Sequence, residues 1–89
     1  MKSIMPDDQE DTCYLCSRRG KMEVHHCLHG PYRKKADRYG LTVHLCPKCH
    51  RALHDKGTDD RLLEELAQQI FENEYGHDLF IREFGKNWL

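Results

Sequence analysis

The chain has 89 residues, of which 38% are hydrophobic and 33% are charged, with a formal net charge of −1. A single domain of this size has a thin apolar core, so we expect a bound metal ion to add stability. The sequence shows neither the apolar segment of a secretory signal nor a stretch that could span a bilayer, which predicts a cytoplasmic protein without membrane contact. In that reducing compartment, five cysteines favour metal binding over disulfide bonds.

The charge is distributed unevenly along the chain. Residues 13–56 contain ten Lys and Arg against three Asp and Glu, a local charge of +7, whereas both flanking segments are acidic. Six of the seven histidines also fall in this basic part, between His25 and His54. A basic field beside candidate metal ligands suits a polyanionic partner. The alternative is a solvated basic surface without a partner.

The elements are predicted in chain order as follows. Residues 1–11 are acidic and polar and predict a disordered tail, followed by a cysteine-containing turn. Residues 21–27 alternate in part and predict a short strand, which the Gly-Pro pair at 30–31 must end. The basic stretch from Tyr32 to Tyr39 predicts a helical turn that stops at Gly40. Residues 41–45 are β-branched and alternating, and they predict the clearest strand of the chain.

Three helices are predicted after this strand. The first begins at Pro47, which suits a first helical turn, and ends at Gly57. The second covers residues 61–75, where apolar residues recur at helical spacing, and the third lies near residues 78–84. We therefore predict an α+β fold with a disordered tail (1–11), a metal-binding module (12–57) and a helical extension packed on that module (58–89). An exposed part of the apolar helix face could instead serve dimerisation.

Four cysteines form two Cys-x2-Cys pairs, and each pair can direct two sulfurs to one ion. Together they predict a tetrahedral structural zinc site without an open coordination position; its ligands are Cys13, Cys16, Cys46 and Cys49. One pair on a turn and one at a strand-to-helix junction are typical of a treble-clef zinc module. Cys27, the odd cysteine, is expected to be a small buried apolar residue. Redox use of the two pairs is the weaker alternative.

The histidines predict a second metal site. His50 and His54 lie four residues apart and share one helix face, so both can bind one ion. Neighbouring His25 and His26 point to opposite faces of a strand and cannot easily do the same job. Together with His25, the helical pair would leave open positions on a divalent cation, which can then bind a phosphate oxygen. His26 remains available as a general base on water. The alternative is that these histidines are ordinary surface or core residues.

The loop before the second strand supplies most of the remaining positive charge. Its basic residues lie between Tyr32 and Tyr39, a mixture that suits phosphate contact with some stacking. The candidate nucleic-acid contacts are Arg33, Lys34, Lys35 and Arg38. For each of them a merely solvated side chain is the alternative. None of these residues suggests sequence-specific reading of bases.

These motifs, taken in order, resemble those of a known family. Cys-x2-Cys, then Val-His-His, then Leu-Cys-x2-Cys-His-x3-His is similar to the HNH endonucleases, the ββα-metal nucleases, over residues 13–56. The resemblance implies a small zinc-bound ββα-metal domain of a phage or bacterial protein that hydrolyses DNA phosphodiester bonds. It also implies one catalytic cation (Mg²⁺, Mn²⁺, Ni²⁺ or Zn²⁺) with His25, His50 and His54 as ligands and His26 as general base. DNA is the expected partner, with a second copy of the chain or a recruiting protein in addition.

One position departs from the family pattern. Family members carry an Asn on the second strand, about nine residues before the first helical histidine, and Leu41 stands at that place here. Thr42, His44 or the backbone near Gly40 could replace it in orienting the base. His29 and His44 are each candidates for a substitute orienter of the base or for a phosphate contact. The competing hypothesis is a non-catalytic treble-clef module that binds nucleic acid or a protein.

Overall fold

A computed structural model describes residues 2–89 as a small α+β structure with one two-stranded sheet and four α-helices. Strand β1 covers Glu23–His26, and strand β2 covers Thr42–Leu45. Between them lie a short 3₁₀ turn and helix α1. The helices are α1 (Arg33–Arg38), α2 (Pro47–Lys56), α3 (Asp60–Tyr75) and α4 (His77–Phe84). None of the helices within residues 2–89 is long and apolar enough to cross a membrane.

The two strands pair antiparallel, and their register determines which histidine is buried. His25 lies opposite Val43, and His26 lies opposite Thr42. Since successive side chains alternate between the two faces of a sheet, His25 points to the buried face and His26 to the other. His25 is accordingly 2% exposed. Helix α2 contacts both strands, so the buried face of β1 is turned towards the helix that carries His50 and His54.

The N-terminal segment is packed against β2, so the prediction of a disordered tail over residues 1–11 is wrong for residues 2–11. Met5 is buried in the core, and the Ile4 backbone N–H donates to the Gly40 carbonyl oxygen at 2.9 Å. The Asp8 carboxylate accepts hydrogen bonds from the backbone N–H of His44 at 2.8 Å and from its ring Nδ1–H at 2.7 Å. These contacts join residues 36 or more positions apart, which composition does not reveal.

Helix α2 begins and ends as its sequence predicts. Pro47 occupies the first turn, where a missing N–H is harmless, and Cys46 precedes it as the N-cap residue. The Cys46 sulfur accepts a hydrogen bond from the Cys49 backbone N–H at 3.4 Å. At the other end, Gly57 adopts a left-handed conformation with φ 70°. The cap therefore couples the start of the histidine-bearing helix directly to the cysteines.

Helices α3 and α4 pack on the rest of the chain through aromatic side chains. Phe71, Phe80 and Phe84 are buried and in mutual ring contact, with centroid separations of 4.7–5.7 Å. Tyr39, which follows α1, stacks edge-on against Phe71 at 4.9 Å. Its hydroxyl also donates to Glu83 Oε1 at 2.7 Å. The helical extension thus holds α1 in place beside β1.

Candidate metal centres

The four cysteines converge on one point, as their spacing predicts. One ligand sulfur from each lies within 4.8 Å of the others, and the Cys16 and Cys46 sulfurs are 3.8 Å apart. Cys13 and Cys46 are buried, whereas Cys16 is exposed. Backbone bonds from Cys13 N–H to the Arg18 carbonyl (2.8 Å) and from Ser17 N–H to the Cys13 carbonyl (2.9 Å) close the first turn. This cluster can hold a structural metal ion such as zinc.

The electrostatics of the cluster also favour a cation. Burial acts to raise the pKa of the Cys13 thiol, but the backbone N–H groups of Cys46, Cys16 and Leu15 together lower that pKa to about 6. Burial and then the neighbouring sulfurs raise the pKa of Cys49 above its ordinary range. Four adjacent sulfurs cannot all become thiolates without a positive charge among them. A divalent cation supplies that charge and removes the conflict.

Three histidines from two elements form a second cluster. The ligand nitrogens of His25, His50 and His54 lie within 4.8 Å of one another. The Nε2 atoms of His50 and His54 are 3.1 Å apart. Two nitrogens bound to one ion at about 2.1 Å, at angles near 90–110°, are separated by about 3.0–3.4 Å. The helical pair therefore has the spacing of two ligands of one ion.

His25 is the buried member of this cluster. Its Nε2 atom is inaccessible to solvent and has no hydrogen-bond partner among residues 2–89. Burial, followed by the proximity of His50 and His54, lowers the pKa of His25 to about 4, so its imidazole is neutral near pH 7. A neutral imidazole with a free lone pair is the form that binds metal, and an unpaired buried nitrogen is costly unless something binds it. The residues present therefore fit a divalent cation.

The Glu23 side chain orients His50, the histidine of helix α2 that clusters with His25. The Glu23 carboxylate oxygen Oε1 lies 2.8 Å from His50 Nδ1 and accepts its hydrogen. With Nδ1 protonated, the His50 Nε2 lone pair is left for an ion, a carboxylate–histidine arrangement common around metal ligands. Glu23 was not singled out from the sequence. Its position two residues before His25 on a strand, and hence on the same face, is the signal that could have identified it.

His26 lies on the opposite side of β1 and is hydrogen-bonded to a carboxylate. Its Nε2 atom is 3.1 Å from Asp37 Oδ1 on α1. A cavity of about 320 Å³ is lined by both strand histidines and by Arg33, together with the other residues of the site. Its complete lining is Val24, His25, His26, His29, Gly30, Arg33, His50 and His54. The histidine cluster and the candidate base thus line one cavity.

No protein-family model, curated protein or solved structure matches this chain.

The candidate phosphate contacts separate into two groups. Arg33 lines the histidine cavity, and Lys34 lines an adjoining cavity that also contains His26, Arg33 and Asp37. Lys35 is turned towards α4, where its Nζ donates to the Glu83 carbonyl oxygen at 2.6 Å and forms an ion pair with the Glu83 carboxylate at 3.4 Å. Arg38 is exposed and also lowers the pKa of Glu83, after the larger influences of Tyr39 and Lys35. Only Arg33 and Lys34 thus line the cavities beside the histidines.

The two histidines considered as substitutes for the family's Asn lie in different places. His44 is bonded to Asp8 at the N-terminal segment and does not line the histidine cavity. His29 does line it, with its Nε2 atom 3.0 Å from Asp60 Oδ1. Leu41, at the Asn position, is fully buried, and its backbone accepts from the Cys27 N–H at 3.0 Å and donates to the Ala36 carbonyl at 2.8 Å. Backbone groups thus tie the loop to β1 here.

Proposed function

We propose that the chain is a metal-dependent endonuclease of the HNH type, which hydrolyses DNA phosphodiester bonds on a treble-clef zinc scaffold. The observation that carries this proposal is the buried, unpartnered Nε2 of His25, on a ring that offers a ligand nitrogen within 4.8 Å of those of His50 and His54. Three imidazoles leave part of the coordination shell of a divalent cation open. A structural ion has no use for open positions, whereas a phosphate oxygen or a water can occupy them.

Each part of the site has a role in this chemistry. The bound cation would polarise the scissile phosphate and stabilise the leaving oxygen. His26 accepts the proton of the attacking water, and Asp37 holds its ring by a hydrogen bond at Nε2. Arg33 contacts the phosphate group within the cavity. The four cysteines bind a structural zinc that keeps the start of α2, and therefore His50 and His54, in register with β1.

The adjoining cavity extends the basic surface beyond the metal centre. It shares His26 and Arg33 with the histidine cavity and adds Lys34. A DNA backbone that enters the histidine cavity can therefore continue along the first turn of α1. These contacts are to phosphates, which predicts cleavage with little sequence preference and affinity that falls as salt rises.

A second candidate function is a non-catalytic zinc module that binds nucleic acid or a protein partner. The observation that favours it is the buried Leu41 at the Asn position of the family. Both candidates require the cysteine cluster, so cleavage itself must discriminate between them.

Plasmid nicking by the purified protein tests this proposal. Supercoiled DNA is incubated with the zinc-loaded chain and added Mg²⁺, Mn²⁺ or Ni²⁺, and the nicked form is measured over time. The wild type is expected to nick with at least one of these cations, and His26→Ala is expected to lose this activity while retaining its zinc content and circular dichroism spectrum.

His77→Ala is the matched control. His77 is also paired with a carboxylate, Glu72, at 2.6 Å, but it lies at the start of α4 and does not line the cavity. It should nick like the wild type. Equal behaviour of the wild type and His26→Ala with all three cations would refute the enzymatic function and leave the binding module.

A further inference from the structure

A third group of potential ligands lies beside the histidine cluster. His29, Asp60 and Glu64 each offer one atom, and these atoms lie within 4.8 Å of one another. Asp60 and Glu64 are one turn apart on α3, so both carboxylates lie on one face of the helix. His29 comes from the loop after β1 and lies 31 residues from Asp60. The group therefore joins the helical extension to the part of the chain that carries the histidines.

The two neighbouring carboxylates of this group would be stabilised by a bound cation. Within residues 2–89, neither Asp60 nor Glu64 forms an ion pair with a lysine or arginine. Asp60 accepts a hydrogen bond from His29, and Glu64 accepts one from the Trp88 indole N–H at 3.0 Å. Two carboxylates so close together repel one another unless positive charge lies between them. All three side chains are partly buried, which reduces screening by water.

His29 also places this group beside the cavity of the histidine cluster. His29 lines the same cavity as His25, whose buried Nε2 lacks a partner. The His29 ring centroid lies 6.2 Å from that of His25 and 6.3 Å from that of His54. Potential ligand atoms for a cation therefore lie on both sides of His29 within one small region.

We propose that His29, Asp60 and Glu64 bind a second divalent cation next to the ion of the histidine cluster. One imidazole nitrogen and two carboxylate oxygens suit Mn²⁺ or Zn²⁺, and three protein ligands leave positions for water or a phosphate oxygen. This cation also fastens the first turns of α3 to the loop after β1. The binding site stands whether or not the chain cleaves DNA, because its ligands are different from those of the histidine cluster.

The single tryptophan provides a direct readout. Mn²⁺ is paramagnetic and broadens the NMR signals of nearby protons, and Trp88 Nε1–H is bonded to Glu64 itself. The experiment uses the full zinc-loaded chain with His50→Ala, which disables the histidine cluster. Mn²⁺ is then titrated while the indole N–H signal is observed. The signal is expected to broaden in a saturable way, with a stoichiometry of one Mn²⁺.

Two further variants make the assignment specific. Glu64→Gln, added to His50→Ala, removes one charge but keeps an oxygen that can accept the Trp88 N–H. It should raise the apparent Kd for Mn²⁺ by at least about tenfold, since even outer partners of metal ligands cost 10–100-fold in affinity. Glu65→Gln is the matched control, because Glu65 neighbours Glu64 but pairs with Arg61 instead. It should behave like His50→Ala alone.

The results separate the alternatives. Absence of saturable broadening in His50→Ala, or equal broadening with Glu64→Gln and Glu65→Gln, would overturn the second site and leave the His29–Asp60 hydrogen bond as the link between α3 and the loop after β1. Should Glu64→Gln disturb the fold, as judged by zinc content and circular dichroism, Asp60→Asn tests the same prediction without touching the Trp88 hydrogen bond.

Discussion

Asp37 Oδ1 lies 3.1 Å from Nε2 of His26, a contact between α1 and β1 across eleven positions of the chain. Because an ionised carboxylate only accepts hydrogen bonds, it places the ring hydrogen on Nε2 and leaves Nδ1 as the acceptor. The Asp37 side chain is 60% exposed, so water screens its charge, and the hydrogen bond serves to orient the His26 ring.

Replacement of this carboxylate tests whether it positions the base. Asp37→Asn can donate where Asp37 only accepts, so we expect kcat for plasmid nicking to fall by on the order of tenfold while KM changes little. Asp55→Asn, on the exposed surface of α2, is the control and should keep the wild-type kcat. An Asp37→Asn protein with unchanged kcat would show that His26 needs no such partner.

The cysteine cluster is expected to be required for folding. Cys49→Ser removes one thiolate ligand, and because binding of a structural metal is coupled to folding, the variant should lose bound zinc and its cooperative thermal transition. Zinc content and circular dichroism on heating measure this. Cys27→Ala is the control, since Cys27 is fully buried but outside the cluster. It should retain one zinc, and a stable, zinc-free Cys49→Ser protein would contradict the assignment.

Because the N-terminal segment packs on Gly40, alanine is expected to cost more stability at Gly40 than at Gly57, although the two glycines have similar conformations. Gly40 and Gly57 have φ values of 73° and 70°, so alanine is strained by about 1 kcal/mol or more at either position. A methyl group at Gly40 would also collide with the carbonyl oxygen of Lys2, whereas at Gly57 it meets open space. Urea unfolding should therefore show a clearly larger loss of stability for Gly40→Ala. Equal losses would indicate that residues 2–4 do not pack against Gly40 in solution.

The lowered pKa of His25 predicts how the free energy of unfolding depends on pH when the histidine cluster carries no cation. Burial, with the neighbouring imidazoles, lowers its pKa from 6.5 to about 4 in the folded chain. Between these values the unfolded chain binds a proton that the folded chain does not, so stability decreases as pH falls from about 6.5 towards 4. The slope from this one group approaches about 1.4 kcal/mol per pH unit.

Denaturant unfolding at several pH values measures this effect. The wild type should lose more stability between pH 6.5 and 5 than His25→Gln, which has no titrating group at that position. Both proteins share the cysteine cluster, so its acid sensitivity cancels in the comparison. Parallel pH profiles would mean that His25 is accessible to solvent when the cation is absent.

Local sequence patterns determined much of this structure. Pro47 and Gly57 mark the two ends of helix α2, on which His50 and His54 are four residues apart and share one face. In β1, the alternation of side chains places His25 and His26 on opposite faces. These relations follow from the periods of the helix and strand, which act over a few residues. The same patterns explain why the predicted strands and helices agree closely with those observed.

The tertiary structure alone decided which groups meet across long stretches of chain. Asp8 at His44, Asp37 at His26 and Asp60 at His29 are all carboxylates that the sequence presents as ordinary surface charges. Tertiary packing likewise decided that the N-terminal segment lies on β2. It also decided that Arg33 lines the histidine cavity whereas Lys35 contacts Glu83 on α4. A hydrogen bond between two polar side chains leaves no periodic mark in the sequence, because it depends on how distant elements pack and not on the spacing of neighbours.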